Sequence, residues 1–242
     1  MSVPDLQKRF YPDAAEQDPV VVMLSLVQAA ARPDSVVLDV GAGAGVRNQY
    51  ALRGNVGRML GVDLDRRVVD NPLLDEGLLL DGIRIPLPDA SVDIAFSIYV
   101  QEHLEYPLLY ARDVFRILRP GGAYFFVTPN RYHYVSLIAS LTPTLFHEYV
   151  NRKRGIPSTD TFATFYRLNT KRAVQRIFPE AGFEIRDLRM IECQPNYLMF
   201  NRVAFLAGVL YERTVNRRPW LDRFRVNIVG ECRRPATMPG RV

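Results

Sequence analysis

The stretch VVLDVGAGAGVR, residues 36–47, restricts what this chain can fold into more than any other. Residues 36–40 are apolar on both faces apart from Asp39, the pattern of a central parallel strand covered by helices on both sides. Glycines at 41, 43 and 45 follow at once. Without a Cβ, such a turn takes positive φ and lets a ligand lie against the backbone. It falls at the carboxyl end of the strand, where open parallel sheets bind their ligands.

The rest of the chain alternates strand-like and helix-like runs, which predicts a parallel sheet with helices on both faces. A helix is expected over 15–31, where Val20, Leu24, Val27 and Ala31 recur at helical spacing and Pro33 follows the end. Strands are expected at 36–40, at 58–65, ending near Asp81, at 92–100 and at 122–130, with a helix after Gly45 and another over 106–118. Residues 131–168 mix aromatics, prolines and histidines without a clean period and read as an insertion or lid. Beyond them a helix from Thr170, a strand over 183–192, an apolar helix over 196–216 and a last strand over 223–234 complete the pattern.

Composition closes off several classes. Of 242 residues, 48% are hydrophobic, ordinary for a chain with a substantial core. No run reaches the roughly 18 apolar residues of a spanning helix, and MSVPDLQKRF holds no signal-like stretch, so a cytoplasmic protein is the default expectation. Cys193 and Cys232 lie far apart and outside any metal-ligand spacing, so both read as reduced packing residues. The net charge of +5 comes from arginines scattered among acids. Without a dense basic run interleaved with aromatics, a nucleic-acid partner is not expected.

The glycines run G-x-G-x-G, whereas a dinucleotide fingerprint places its third glycine where Val46 stands. Asp63 lies 22 residues beyond Gly41, close to the interval at which a carboxylate meets a ribose hydroxyl pair, and it would repel a 2′-phosphate. Asp39, inside an apolar strand, needs a partner that a ligand ammonium would supply, directly or through water. Asp81, ending the third strand, could accept from an adenine amine. Taken singly, Asp63 and Asp81 read equally well as helix N-caps. Together the three acids describe an amino acid joined to adenosine rather than a pyrophosphate. Asp65 reads as a cap and Asp93 as a brace for the turn before the fourth strand.

The segments VLDVGAGAG, GVDLD, DGIRIPLPDASVDIAFSIYVQEHLE and ILRPGGAYFFVTPN, in this order and spacing, resemble the class I S-adenosylmethionine-dependent methyltransferases, in the branch that includes ubiquinone-biosynthesis-type enzymes. The resemblance covers residues 20–130 well and 160–190 more loosely. It implies an α/β, Rossmann-like, seven-stranded sheet, mostly parallel with one reversed strand, and a single domain over 1–242. Within it, 1–130 would be the cofactor-binding half, 131–168 the lid or acceptor insertion, and 169–242 the remainder of the sheet with the apolar helix. The cofactor implied is S-adenosylmethionine, leaving as S-adenosylhomocysteine. Its implied contacts are Asp39, Gly41, Ala42, Gly43, Gly45, Asp63, Leu64, Asp81, Gly82, Ile83, Ser97 and Tyr99, with no metal.

Methyl transfer from a sulfonium needs alignment and exclusion of water, and an aliphatic hydroxyl acceptor would benefit from a base. His103, just past the fourth strand, is the candidate base; a packing or cofactor-pocket role is the other reading. His133 and His147, with Tyr132, Tyr134 and Tyr166, could line an acceptor pocket or pack. The helix over 196–216 could cover the sheet, form a homodimer interface, or touch a membrane surface through 197–211; covering the sheet is the favoured reading. The fourth strand lacks the Asn/Asp-Pro-Pro-Tyr turn of amino-methylases, no Pro-Cys pair offers a thiolate, and no acidic cluster suits a metal-dependent catechol enzyme. A small-molecule, sugar or lipid-like acceptor methylated at oxygen is left. The alternatives are an NAD-linked oxidoreductase, disfavoured by the glycine spacing, or a catalytically silent binding subunit.

Overall fold

The strands at Val36–Val40 (β1), Arg58–Asp63 (β2), Glu76–Leu79 (β3), Val92–Ile98 (β4), Leu118–Pro129 (β5), Glu184–Ile191 (β6) and Asn227–Arg233 (β7) form one sheet in the order β3-β2-β1-β4-β5-β7-β6. The structure is a computed structural model that describes residues 1–45, 51–141 and 163–237. All pairings from β3 to β5 are parallel, and β7 runs antiparallel to both its neighbours. This is the expected seven-stranded sheet with one reversed strand. The order reverses between β1 and β4, and the crevice outside their carboxyl ends is where such a sheet binds its ligand.

Both faces are covered because the central strands are apolar on both. Val37, Phe96, Phe125 and Val127 pack under Val20, Met23 and Val27 of α2 (Pro19–Ala30). Leu38, Tyr124 and Phe126 face the other way, onto Val114 and Ile117 of α3 (Pro107–Ile117) and Phe178 of α5 (Lys171–Glu180). α2 starts later than its apolar period suggests because Asp18 caps it, accepting from Val20 N at 2.8 Å, and Pro19 takes the first helical position. Thr170 caps α5 as expected, accepting from Ala173 N.

The structure departs from the sequence reading at several points. A first helix, α1 (Val3–Phe10), precedes the segment read as the first helical element. The insertion contains a helix, α4 (Tyr134–Leu141). The apolar stretch over 196–216 is two pieces, a 3-10 turn at Asn196–Leu198 and α6 (Arg202–Arg217), because the Asn201 side chain accepts from Ala204 N at 2.8 Å and starts the helix anew. Nor does α6 chiefly cover the sheet: Phe205 and Val209 pack with Tyr11, Leu6 and Phe10 from the N-terminal segment. Most of the helix expected after Gly45 lies outside the described residues, and 51–57 form turns.

Candidate functional site

The glycine turn is fixed from three sides. The amides of Gly41 and Ala42 donate to the carbonyl of Val62, at 2.8 and 3.2 Å, tying the turn to the end of β2. At Gly41, φ is +88° and an added Cβ would stand 2.4 Å from Val100 Cγ2, so only glycine lets this backbone pass. At Gly45, φ is +70° and an added Cβ would strike the side chain of Asn71. Asn71 is the buckle: its Nδ2 donates to the carbonyls of Ala42 and Gly43, both at 3.1 Å, and its Oδ1 accepts from Leu73 N. Sequence reasoning passed over Asn71, since nothing local shows that residue 71 returns to residue 45.

Asp63, at the end of β2, accepts from Gly43 N through Oδ2 and from Asp65 N through Oδ1, both at 2.8 Å. Each oxygen retains further acceptor capacity, and Asp63 lines a cavity of about 550 Å³ with Gly41, Leu64, Gly82, Ile83 and Tyr99. Asp39 lies behind the turn. Its Oδ1 is buried without a hydrogen-bond partner among the described residues. Burial, and secondarily the charge of Asp63, push its carboxyl up to about 7.

Other site residues fall differently. Asp81 is exposed just past β3, while its neighbours Leu80, Gly82 and Ile83 form the cavity wall. Ser97 turns away from the cavity into the core, bonding Tyr124 Oη at 2.7 Å in a cluster with Gln101 and Tyr110. Ala42 contributes backbone groups to the buckle. Asp65 caps a 3-10 turn at Arg66–Asp70, as read from the sequence, whereas Asp93 accepts from Val36 N of β1 and Arg119 of β5 and so ties strands together rather than bracing its own turn. Both cysteines are free and buried.

Tyr99 sits at positive φ, +57°, just past β4, and its ring borders both the first cavity and a second one of about 350 Å³. A bulky residue in that conformation is strained and is held there by surrounding structure; its amide donates to the Val127 carbonyl. His103 lines the first cavity, with Nδ1 2.9 Å from the Ala163 carbonyl. The second cavity is lined by Glu102, His133, Tyr134, Tyr166, Glu192 and Tyr197, among others. Tyr132 faces a separate groove instead, and His147 lies outside the described residues.

His133 is 1% exposed, with Nε2 3.5 Å from Glu192 Oε2. Burial holds its imidazole down at about 4, and burial pushes Glu192 up to about 8 and Glu102 to about 7. Glu192 accepts from Val226 N at 2.8 Å and Glu102 from Thr128 Oγ1 at 3.2 Å. These groups set the pH response of the fold. Asp39, Glu102 and Glu192 retain protons that the unfolded chain releases near pH 4, so their contribution is complete at low pH and is lost as pH rises through about 7 and 8. His133 acts oppositely, but only below its unfolded value of 6.5. Between pH 6.5 and 8 stability is therefore expected to fall, by about 2–3 kcal/mol. Urea denaturation at the two pH values measures this, and Glu192→Gln is expected to flatten the slope.

The switch-point cavity, the glycine cradle and the acids around it define an α/β domain built to hold an adenosine-bearing ligand. Residues 38–126 match the family described as Methyltransferase domain. A protein of Mycolicibacterium smegmatis described as a "probable S-adenosylmethionine-dependent methyltransferase" is 36% identical over 102 residues, covering 39% of this chain and 38% of its own length. The malonyl-[acyl-carrier protein] O-methyltransferase of Yersinia pestis is 37% identical over 179 residues, covering 72% of this chain and 66% of that protein. In fold alone, the geranyl diphosphate C-methyltransferase of Streptomyces coelicolor, solved with Mg²⁺, geranyl diphosphate and S-adenosyl-L-homocysteine, superposes with a TM-score of 0.55 at 14% identity, over 88% of this chain and 77% of that one. Residues 38–126 therefore carry a methyltransferase domain of the class I S-adenosylmethionine-dependent kind. The chain spans less than half the length of the first two curated relatives it matches.

Proposed function

We propose that this protein transfers a methyl group from S-adenosylmethionine to a hydroxyl oxygen of a small-molecule or lipid-like acceptor seated in the second cavity. The observation that carries the reading is the orphaned, buried Oδ1 of Asp39 behind a glycine turn that opens onto Asp63. The residues present fit the cofactor: an acid for its ammonium, bare backbone at Gly41 and Gly43, Asp63 for the ribose hydroxyls, and the Leu80–Ile83 wall for the adenine. Asp81, on the exposed rim, can meet only the outer edge of that ring.

When bound, S-adenosylmethionine supplies a methyl group already activated by a sulfonium leaving group. What is left to the protein is alignment, dryness and a place for the acceptor's proton. Tyr99 stands between the two cavities, where its ring face suits a nearby sulfonium charge. His103, on the wall of the first cavity, is the proton acceptor for a hydroxyl that reaches past Tyr99 from the second cavity toward the methyl group. A carbonyl can only accept, so Nδ1 carries the hydrogen shared with Ala163, and in the neutral ring Nε2 is then the basic nitrogen. Glu192, mostly protonated near neutral pH, Glu102, about half protonated there, and the hydroxyls of Tyr134 and Tyr166 offer hydrogen bonds to an uncharged polar acceptor.

Calorimetric titration tests the cofactor directly. S-adenosylmethionine and S-adenosylhomocysteine are expected to bind, and NAD and NADP are not; silence of the first two overturns the proposal. Tight cofactor binding with no transfer to any member of a hydroxyl, phenol and amine panel would make the chain a silent binding subunit.

A further inference from the structure

We propose that the solvent-facing arc of α6 docks on the surface of an anionic membrane. The helix turns Phe205, Gly208, Val209, Glu212 and Val215 inward. On its opposite arc Val203 is 80% and Leu210 70% exposed, with Leu206 exposed between them, and exposed Phe200 and Trp220 stand just before and just after the helix. A lone exposed leucine is ordinary. Large apolar residues repeated three or four apart along one arc are not, and they need a partner that takes up apolar area.

Charge says which partner. The exposed basic residues of α6 are Arg202, Arg213 and Arg217; Arg213 pairs with Glu212 at 3.3 Å, and beyond the helix Arg218 and Arg223 add two more, with the half-buried Asp222 between them paired to Lys171. The helix's one acid, Glu212, is 4% exposed and accepts from Tyr11 Oη and Asn216 Nδ2. An apolar stripe bordered by arginines without an exposed acid matches the headgroup boundary of an anionic leaflet, where each basic residue adds about 1 kcal/mol. Two copies meeting through this arc about a twofold axis would bring arginines against arginines. Among the described residues no helix is long and apolar enough to cross a membrane, so the contact is peripheral.

The position of the arc is consistent with use. Tyr197, in the 3-10 turn that leads into α6, lines the second cavity, and Phe200 stands three residues on.

The test is co-sedimentation of the full chain with vesicles of phosphatidylcholine alone, or of phosphatidylcholine and phosphatidylglycerol in equal parts. The protein is expected to pellet with the anionic vesicles, to be released by high salt, and to pellet poorly with the neutral ones. The triple variant Val203→Glu, Leu206→Glu, Leu210→Glu is expected to lose at least about tenfold in partitioning while keeping its far-ultraviolet spectrum and cofactor affinity. Absence of anionic-vesicle binding, or binding unchanged in the triple variant, overturns the proposal. So does a concentration-dependent dimer, seen by sedimentation equilibrium and abolished by the triple variant, in a protein that ignores vesicles. None of these readouts depends on methyl transfer, so the surface and the catalytic reading stand or fall separately.

Discussion

Replacing His103 with Gln is expected to lower kcat for a hydroxyl acceptor by about 10²–10⁴-fold and to leave S-adenosylmethionine affinity within about twofold. Glutamine is the informative choice. Its side-chain amide can still donate to the Ala163 carbonyl that now receives the imidazole Nδ1–H, so the segment around residue 163 keeps its tether. What is removed is the lone pair at Nε2. Release of S-adenosylhomocysteine under saturating acceptor gives kcat, and calorimetry on the same preparation gives the cofactor affinity. The choice of acceptor sharpens the test: an amine that reaches the site unprotonated needs no base, so its rate is expected to change little. A variant with unaltered kcat on hydroxyl acceptors would make His103 a wall and tether residue. A loss shared equally by hydroxyls and amines would point to a displaced Tyr99–Val100 turn.

The sequence displayed whatever depends on a short, regular period. The apolar runs at Val36–Val40, Val92–Ile98 and 123–127 are buried on both faces, and so their strand identity and central position were legible. The cap at Thr170 and the cap at Asp65 were visible because a cap is a contact between near neighbours. Features made by distant residues were not. α1 carries too few apolar positions to announce itself; its place comes from the packing of Phe10 and Tyr11 on Phe205 and from Gln7 bonding Gln194. Asn71 acts on Gly45 only because the segment after β2 folds back over the turn. The acidic second cavity joins Glu102 and His133 to Glu192, which arrives at the end of β6. Ser97 shows the limit of motif transfer. Its position placed it in the cofactor set, yet the alternation of β4 puts it on the same face as Ala95, under Tyr124.

Asp63→Ala is expected to weaken S-adenosylmethionine binding by about 1.5–3 kcal/mol, roughly 10- to 150-fold, with the apo protein still folded. The structure makes this more than the loss of a ribose contact. Asp63 also receives the amides of Gly43 and Asp65, so alanine leaves the cradle unbraced at the point where the backbone must stay open. The cost to the fold is small because both amides lie beside an open cavity, where water can take the carboxylate's place. A second effect runs the other way. The charge of Asp63 helps to hold the Asp39 carboxyl up at about 7, after the larger effect of burial. Without it Asp39 ionises at lower pH and becomes a better partner for the ligand ammonium near neutrality. Affinity in the parent protein is therefore expected to climb as pH rises through 7, and in Asp63→Ala that climb is expected to begin earlier, from a weaker baseline. Calorimetry across this range separates the two contributions. Parent-like affinity at every pH would reduce Asp63 to a brace for the turn, and a weaker baseline with an unmoved pH profile would show that Asp39 does not feel it.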